Sequence, residues 1–195
     1  MKNWKGRSNI AIHQMDCLEA MKDMEDNAFD LAIVDPPYGI GIAEWDKNPP
    51  TKEYFKELFR VSKNQIIWGF NHFELPSTSS FIFWDKKQQG NQARGELAWA
   101  SIGKVRYFLR EWQWDRNNVS KRYHVCQKPV KLYEWLLMNY AKKGDKILDT
   151  HLGSGSHAIA CWNLNFNLTA YELDPDYFEA TAKRIEKHTR QIQIF

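Results

Sequence analysis

No run of apolar residues in this chain approaches the roughly 20 needed to cross a bilayer, so a membrane protein is not expected. The N-terminal Met1-Lys2-Asn3-Trp4-Lys5-Gly6-Arg7 carries charge with no apolar stretch behind it, which argues against a secretory signal and for a cytoplasmic protein. Cysteine is scarce. Cys17, Cys126 and Cys161 lie far apart and form no CxxC pair, which removes a zinc ribbon and a disulfide framework and fits reduced thiols. His13 and His124 sit in no metal-ligand spacing, so no metal is expected. Glycine and proline are few, and there is no internal repeat or low-complexity segment.

What remains is a globular composition, 43% hydrophobic and 26% charged over 195 residues, enough for one domain with a real core and hardly enough for two. Tryptophan stands out, with nine. Its flat ring can stack on bases, but it is also an ordinary core filler. The net charge of +3 is unevenly spread. Residues 86–131 hold eleven Lys or Arg against three acids, a local +8 that leaves the rest of the chain at −5. Such a block is the electrostatic footprint of a nucleic-acid binder, although many basic stretches are simply solvated faces.

Along the chain, Asn9–Gln14 reads as a strand and Cys17–Met24 as a helix. Phe29–Val34 is a continuous apolar run, the pattern of a strand buried on both faces. It stops at Asp35-Pro36-Pro37-Tyr38-Gly39, where two prolines force the chain out of the sheet. Glu53–Val61 has helical spacing, and Gln65–Trp68 and Phe81–Trp84 read as strands. Lys86–Gly95 reads as a loop. Glu96–Ser101 and Lys104–Arg110 are expected to form a β-hairpin turning near Ile102-Gly103, with Trp112–Lys121 irregular. Val130–Ala141 is a helix. Lys146–Leu148, a helix from about Ser156 to Trp162 and a strand at Leu168–Tyr171 follow. A last helix runs to about His188, with Asp174 as its N-cap and Pro175 as its first residue. Strands alternating with helices predict an α/β fold with a largely parallel sheet, whose ligands bind off the carboxyl ends of the strands.

Two of those strand ends are unusual. The strand entering Asp149 runs into Gly153-Ser154-Gly155, and Glu172 follows 17 residues beyond Gly155, at the end of the next strand. A glycine turn followed by an acid one βαβ step later suits a pair of ribose hydroxyls. The loop lacks the Lys of a phosphate-binding loop and the third glycine of a dinucleotide site, so it favours a nucleoside without phosphates. The other strand end is Asp35-Pro36-Pro37-Tyr38, a tetrapeptide that arises by accident in roughly one chain per thousand of this length.

With these motifs the chain resembles the DNA amino-methyltransferases of bacterial restriction–modification and phage systems, in the permuted order called the β class. In that order the DPPY motif comes first, the target-recognition segment next and the cofactor loop near the C-terminus. Gln14-Met15-Asp16-Cys17-Leu18 resembles the family's acidic cofactor motif. Gln127-Lys128-Pro129-Val130-Lys131-Leu132 resembles its "KP" helix start, and Asp149–Ser156 its D-P-F-x-G-S-G-T loop. Tyr171-Glu172-Leu173-Asp174-Pro175 resembles the segment that carries the ribose-binding acid. Two departures stand out: Thr150-His151 replaces Pro-Phe, and the chain is short for the family.

The resemblance implies a Rossmann-like methyltransferase fold with a mixed, mostly parallel central sheet and a small inserted recognition segment. One domain over 1–195 would divide into a catalytic part (about 1–85), a recognition segment (about 86–125) and a cofactor part (about 126–195). The cofactor implied is S-adenosyl-L-methionine. Asp16 would hold its adenine amino group and Glu172 its ribose. Gly153 and Gly155 would admit the methionine portion, Lys128 would support the methionine carboxylate, and His151 would pack on the cofactor where the family has Phe. Cys17, Asp35, Asp149, Ser154 and Leu173 complete the implied cofactor set.

The chemistry explains the catalytic motif. An exocyclic base nitrogen is a poor nucleophile because its lone pair is delocalised into the ring. The Asp35 carboxylate and the Pro36 carbonyl, its direction fixed by Pro36 and Pro37, can accept its two N–H groups and free that lone pair. Tyr38 can stack on the base. The base must first leave the duplex, at a cost of a few kcal/mol that basic contacts would offset. Lys87, Arg94, Arg110, Arg116, Lys121 and Arg122 are the candidates for contact with double-stranded DNA, while Trp112 and Trp114 read as core residues ahead of DNA wedges. Adenine N6 is the expected target, because relatives acting on cytosine usually have Ser where this chain has Asp35. N4-cytosine methylation and a catalytically inert DNA-binding relative are the alternatives. The resemblance also brings in a homodimer and a cognate restriction endonuclease as partners of such systems.

Overall fold

The computed structural model describes residues 2–5, 9–87, 93–109 and 126–191. In chain order the strands are β1 (Lys2–Lys5), β2 (Ile10–Gln14), β3 (Leu31–Val34), β4 (Gln65–Trp68), β5 (Phe81–Asp85), β6 (Gly95–Ala100), β7 (Arg106–Leu109), β8 (Lys146–Asp149) and β9 (Asn167–Glu172). The helices are α1 (Cys17–Lys22), α2 (Lys52–Val61), α3 (Val130–Tyr140), α4 (Ser156–Leu164) and α5 (Pro175–Gln191). Among the described residues the strands form one sheet in the order β1-β2-β9-β8-β3-β4-β6-β5-β7. β2, β9, β8, β3 and β4 are mutually parallel. β1 and β6 run against their neighbours, and β7 is parallel to β5. The sheet is therefore mixed and mostly parallel, the expected architecture.

Strand β3 shows why the sequence folds this way. All four of its residues are buried, and their period of two splits them between two cores. Leu31 and Ile33 join residues of α3, α4 and α5 on one face. Ala32 and Val34 join α1 and α2 on the other. Helix α2 turns Tyr54, Phe55, Leu58 and Val61 into that second layer, and the Thr51 hydroxyl caps its start by accepting from the Tyr54 N–H at 3.3 Å. Asp174 caps α5 as expected, its Oδ1 accepting from the N–H groups of Asp176 (2.8 Å) and Tyr177 (3.0 Å). Trp68 and Trp84 are fully buried and meet edge to face at 6.3 Å, so these two serve the core.

One reading needs correction. The expected hairpin of Glu96–Ser101 with Lys104–Arg110 does not form. β6 is inserted between β4 and β5, with Ala100 opposite Ile66 and Trp99 opposite Phe81, so both its edges are taken. β7 instead lies along β5, Arg106 opposite Ile82. The N-terminal residues, read only as charged, form the edge strand β1, Lys2 opposite Gln14.

The site follows from the strand order. β3 and β8 are neighbours, yet β3 leads on toward β4 on one side and β8 toward β9 on the other. This is a topological switch point, where a crevice opens beyond the strand ends.

Candidate active site

That crevice is a cavity of about 640 Å³, bordered by Asp35–Tyr38 leaving β3 and by Thr150–Ser154 leaving β8. The volume is in the range of small-molecule sites. It gathers most of the residues singled out from the sequence. Asp16 and Cys17 reach it from the end of β2, and Glu172 and Leu173 from the end of β9. Lys128 and His151 also line it. Asp149 and Gly155 stand behind the lining. Asp149 is buried, with Oδ1 accepting from the His151 N–H (3.0 Å) and Oδ2 facing His157 Nδ1 at 2.9 Å, so it braces the turn. Gly155 has φ +77°, and a Cβ there would come within 2.6 Å of Thr181 Cγ2, so the turn admits no side chain.

In the glycine-loop half, Glu172 accepts from the Gly153 N–H at 2.8 Å and the Asp174 N–H at 3.0 Å, and burial pushes its carboxyl up. Asp16 caps α1, its Oδ1 accepting from the Leu18 N–H at 2.7 Å. Tyr54 donates or accepts at Thr150 Oγ1 (2.7 Å), which in turn meets His151 Nδ1 at 2.9 Å. Burial pushes the His151 imidazole down to about 4, so the ring is neutral near pH 7. Arg184 and Thr181, neither of them noticed in the sequence, tie the loop to α5 through the carbonyls of Ser154 and Gly153. The set suits a nucleoside. Acids stand ready to receive N–H and O–H groups, and among the described residues lining the cavity Lys128 is the one Lys or Arg, so those residues carry no basic cluster for a phosphate.

The half of the cavity bordered by Asp35–Tyr38 is organised around Asp35. Its Oδ2 lies 2.5 Å from Lys128 Nζ, and its Oδ1 accepts from the Tyr38 hydroxyl at 2.7 Å. Lys128 is thus held among Asp35, Tyr38 and Glu96, rather than standing open for a ligand carboxylate. Burial pushes the Asp35 carboxyl up, against the pull of Lys128. The Tyr38 ring stacks on His72 at 5.1 Å and lies directly over Gly69. Asp46, also missed in the sequence, is buried and holds the loop after the motif. Its carboxylate accepts from the N–H groups of Tyr38 (2.6 Å), Gly39 (3.3 Å), Ile40 (3.1 Å) and Ile42 (3.3 Å). An acid eight residues past the motif gave no local signal, because its partners are backbone groups.

Of the six basic candidates for DNA, Lys87 and Arg94 are exposed, Arg94 with its Nε 3.6 Å from Asp85. Arg110, Arg116, Lys121 and Arg122 lie outside the described residues, as do Trp112, Trp114 and His124. Two other cations of the basic block, Lys86 and Lys128, turn inward to Glu96.

A family model for N6/N4 methyltransferases, described as DNA methylase, matches residues 83–184, just over half of the chain. The chain belongs to this DNA methylase family. The matched residues take in Glu96, Lys128, the glycine loop and Glu172, while Asp35–Tyr38 precedes them. Among curated DNA methylases, the type II methyltransferase M.HpaI of Haemophilus parainfluenzae is 23% identical over 225 residues, covering 87% of this chain and 72% of that protein. The crystal structure of an M1.HpyAVI–SAM complex superposes with a TM-score of 0.65 at 23% identity, over 90% of this chain and 99% of that one. The PvuII DNA methyltransferase, cytosine-N4-specific, gives 0.64 at 13% identity, over 94% and 91%. At these identities the structures establish a shared DNA methylase fold. Among the described residues no helix is long and apolar enough to cross a membrane.

Proposed function

We propose that this chain transfers a methyl group from S-adenosyl-L-methionine to the N6 amino group of adenine, in a base flipped out of double-stranded DNA. The observation that carries this reading is the single cavity bordered by Asp35–Tyr38 on one side and the Gly153 loop on the other. Both walls open on the same space, as transfer between a cofactor and a base requires. Asp35 in place of the Ser usual in cytosine-acting relatives favours adenine. The fold likeness to a cytosine-N4 enzyme keeps N4-cytosine as the second reading.

The bound cofactor supplies a methyl already activated on a sulfonium. The protein aligns the acceptor, and alignment supplies much of the rate. Asp35 Oδ1 and the Pro36 carbonyl receive the two N–H groups of the amine, one of which takes the place of the Tyr38 hydroxyl on Oδ1. As the new N–C bond forms and the S–C bond breaks, the nitrogen becomes cationic and sheds one proton. Asp35, pushed up by burial, is the acceptor at hand. Tyr38, backed by His72, offers its ring to the base, a contact worth about 1–3 kcal/mol. In the cofactor half, Glu172 holds the ribose and Asp16 the adenine amine. Gly153 and Ser154, which line the cavity, would admit the methionine portion. His151, Cys17 and Leu173 line that half.

The same reading assigns DNA contact to Lys87, Arg94, Arg110, Arg116, Lys121 and Arg122, and makes the chain order that of the β class. It places the chain in a bacterial or phage modification system, with a cognate nuclease and a second copy of the chain as partners to look for.

The test is methyl transfer from labelled S-adenosylmethionine to mixed DNA, followed by mass spectrometry of the nucleosides. N6-methyladenine is expected. Asp35→Ala should abolish transfer while cofactor binding survives. N4-methylcytosine would move the assignment to the second reading, and label on RNA alone would defeat DNA as substrate. DNA binding without any label would make the chain an inert relative.

A further inference from the structure

Glu96, at the start of β6, is the carboxylate that the proposed chemistry leaves unused. Its side chain is largely buried, with Oε2 3.0 Å from Lys128 Nζ and Oε1 against Lys86 Nζ. Lys128 is 3% exposed and reaches Asp35 Oδ2 at 2.5 Å. The four groups form a chain, Lys86–Glu96–Lys128–Asp35, with two charges of each sign. Indole and phenol rings enclose it. Lys86 sits 4.9 Å from the Trp84 ring, and Lys128 sits 5.3 Å from that of Trp68 and 5.9 Å from that of Tyr38. Buried ions persist only when paired, so each member depends on the others.

We infer that Glu96 is a positioning residue for methyl transfer: braced by Lys86, it holds the Lys128 ammonium on Oδ2 of Asp35, which reserves Oδ1 for the target amine. The inference rests on the amine methylation proposed above. The two oxygens of Asp35 differ in what can replace their partner. Displacing Lys128 from Oδ2 would strand a buried ammonium. Displacing the Tyr38 hydroxyl from Oδ1 removes only a neutral donor, and the incoming N–H restores the hydrogen bond. Glu96 sets how hard Lys128 pulls. With Glu96 present, the ammonium is shared between two carboxylates and Asp35 keeps its strength as an acceptor. Without it, the full charge falls on Asp35 and weakens it.

The groups that face this cluster agree. Asp35 meets Lys128, Glu96 and Tyr38, and its charge is felt by Tyr54 of α2, Tyr133 of α3 and Cys126. Burial pulls Glu96 upward, but Lys128 and Lys86 outweigh it and hold the carboxyl at about 2, so it stays anionic throughout the working pH range. Among these neighbours, Glu96 and burial raise Asp35 while Lys128 and Tyr38 lower it.

The experiment compares the whole chain with Glu96→Gln and Glu96→Asp. The Asp carboxyls are followed by carbon-13 NMR against pH, the Asp35 signal being identified by its loss in Asp35→Asn. Methyl transfer to DNA is followed over the same range. In Glu96→Gln the Asp35 titration is expected to fall by about one pH unit. The acid limb of the pH–rate profile should move with it, and kcat should drop about tenfold or more. S-adenosylmethionine affinity should stay close to wild type while the thermal midpoint falls, since Lys86 loses its partner, and Glu96→Asp should recover part of the rate. An Asp35 titration unchanged in Glu96→Gln overturns the inference, whatever the activity. So does equal loss of fold and cofactor binding in both variants, which would make Glu96 a structural residue only. A titration that shifts in Glu96→Gln, when the wild-type chain methylates no DNA, would leave the charge coupling standing and remove the proposed function instead.

Discussion

Gly69 and Tyr38 are a pair in which one residue exists to make room for the other. A Cβ on Gly69 would sit 2.2 Å from Tyr38 Cε1, and the residue's φ is +70°. Gly69→Ala therefore must displace the ring proposed to face the base. Misplacement of about an ångström can cost on the order of 100-fold in rate. The expected result is such a loss in methyl transfer with cofactor affinity near wild type, read by label incorporation and calorimetry. His151 gives a prediction in pH. Its folded-state value is about 4 against an ordinary 6.5, because burial disfavours the charged ring. Between those values the unfolded chain holds a proton that the folded chain does not, so stability from this residue is complete above about pH 6.5 and is lost as pH falls toward 4. In His151→Phe this part of the decline should vanish, measured by urea unfolding across the window. A parallel decline in both proteins would assign the acid sensitivity to other groups. The sequence showed that His151 departs from the family's Phe. Its neutrality depends on the packing of Tyr54 and Thr150 around it, which no local pattern reveals.

At the scale of elements, the loop after the DPPY corner hangs on Asp46. Four backbone N–H groups converge on that one buried carboxylate. Asp46→Ala leaves them without their acceptor, and a cost of about 1–3 kcal/mol is expected in urea unfolding. Methyl transfer should fall as well, since Tyr38 is one of the four. A full-rate variant would show that the loop holds its shape without Asp46. Asp174→Ala is the milder case. It removes the cap of α5 and should cost about 1 kcal/mol with little effect on rate. That cap was legible from Asp-Pro-Asp alone, because capping is a local exchange between a side chain and the next three amides. The partner of β7 was not legible. Alternation and a glycine marked Arg106–Leu109 as a strand, but which edge a strand takes depends on which edges are free, and β6 had none.

Over the whole molecule, the basic block divides by direction. Lys86 and Lys128 are spent on Glu96 inside, so they add nothing to an outer field. If about five of the remaining candidates touch phosphates, log K for DNA should fall against log salt with a slope of about −4 to −5. Titration of DNA binding between low and moderate salt checks this, and a flat response would give the block another role. The sequence by itself determined the alternation of strands and helices, the two strand ends that carry chemistry, and the acid that follows the glycine turn. These are encoded in residues close together in the chain, through periodicity, proline and glycine backbone limits, and capping. Only the tertiary structure decided that β3 and β8 are neighbours and that Asp35 and the Gly153 turn share one cavity. It alone brought Glu96 and Lys128, 32 positions apart in the chain, into one charged cluster with Asp35. Strand order and buried ion pairing are set by competition among distant segments for the same edges and the same interior space, and that competition leaves no mark on any short stretch of sequence.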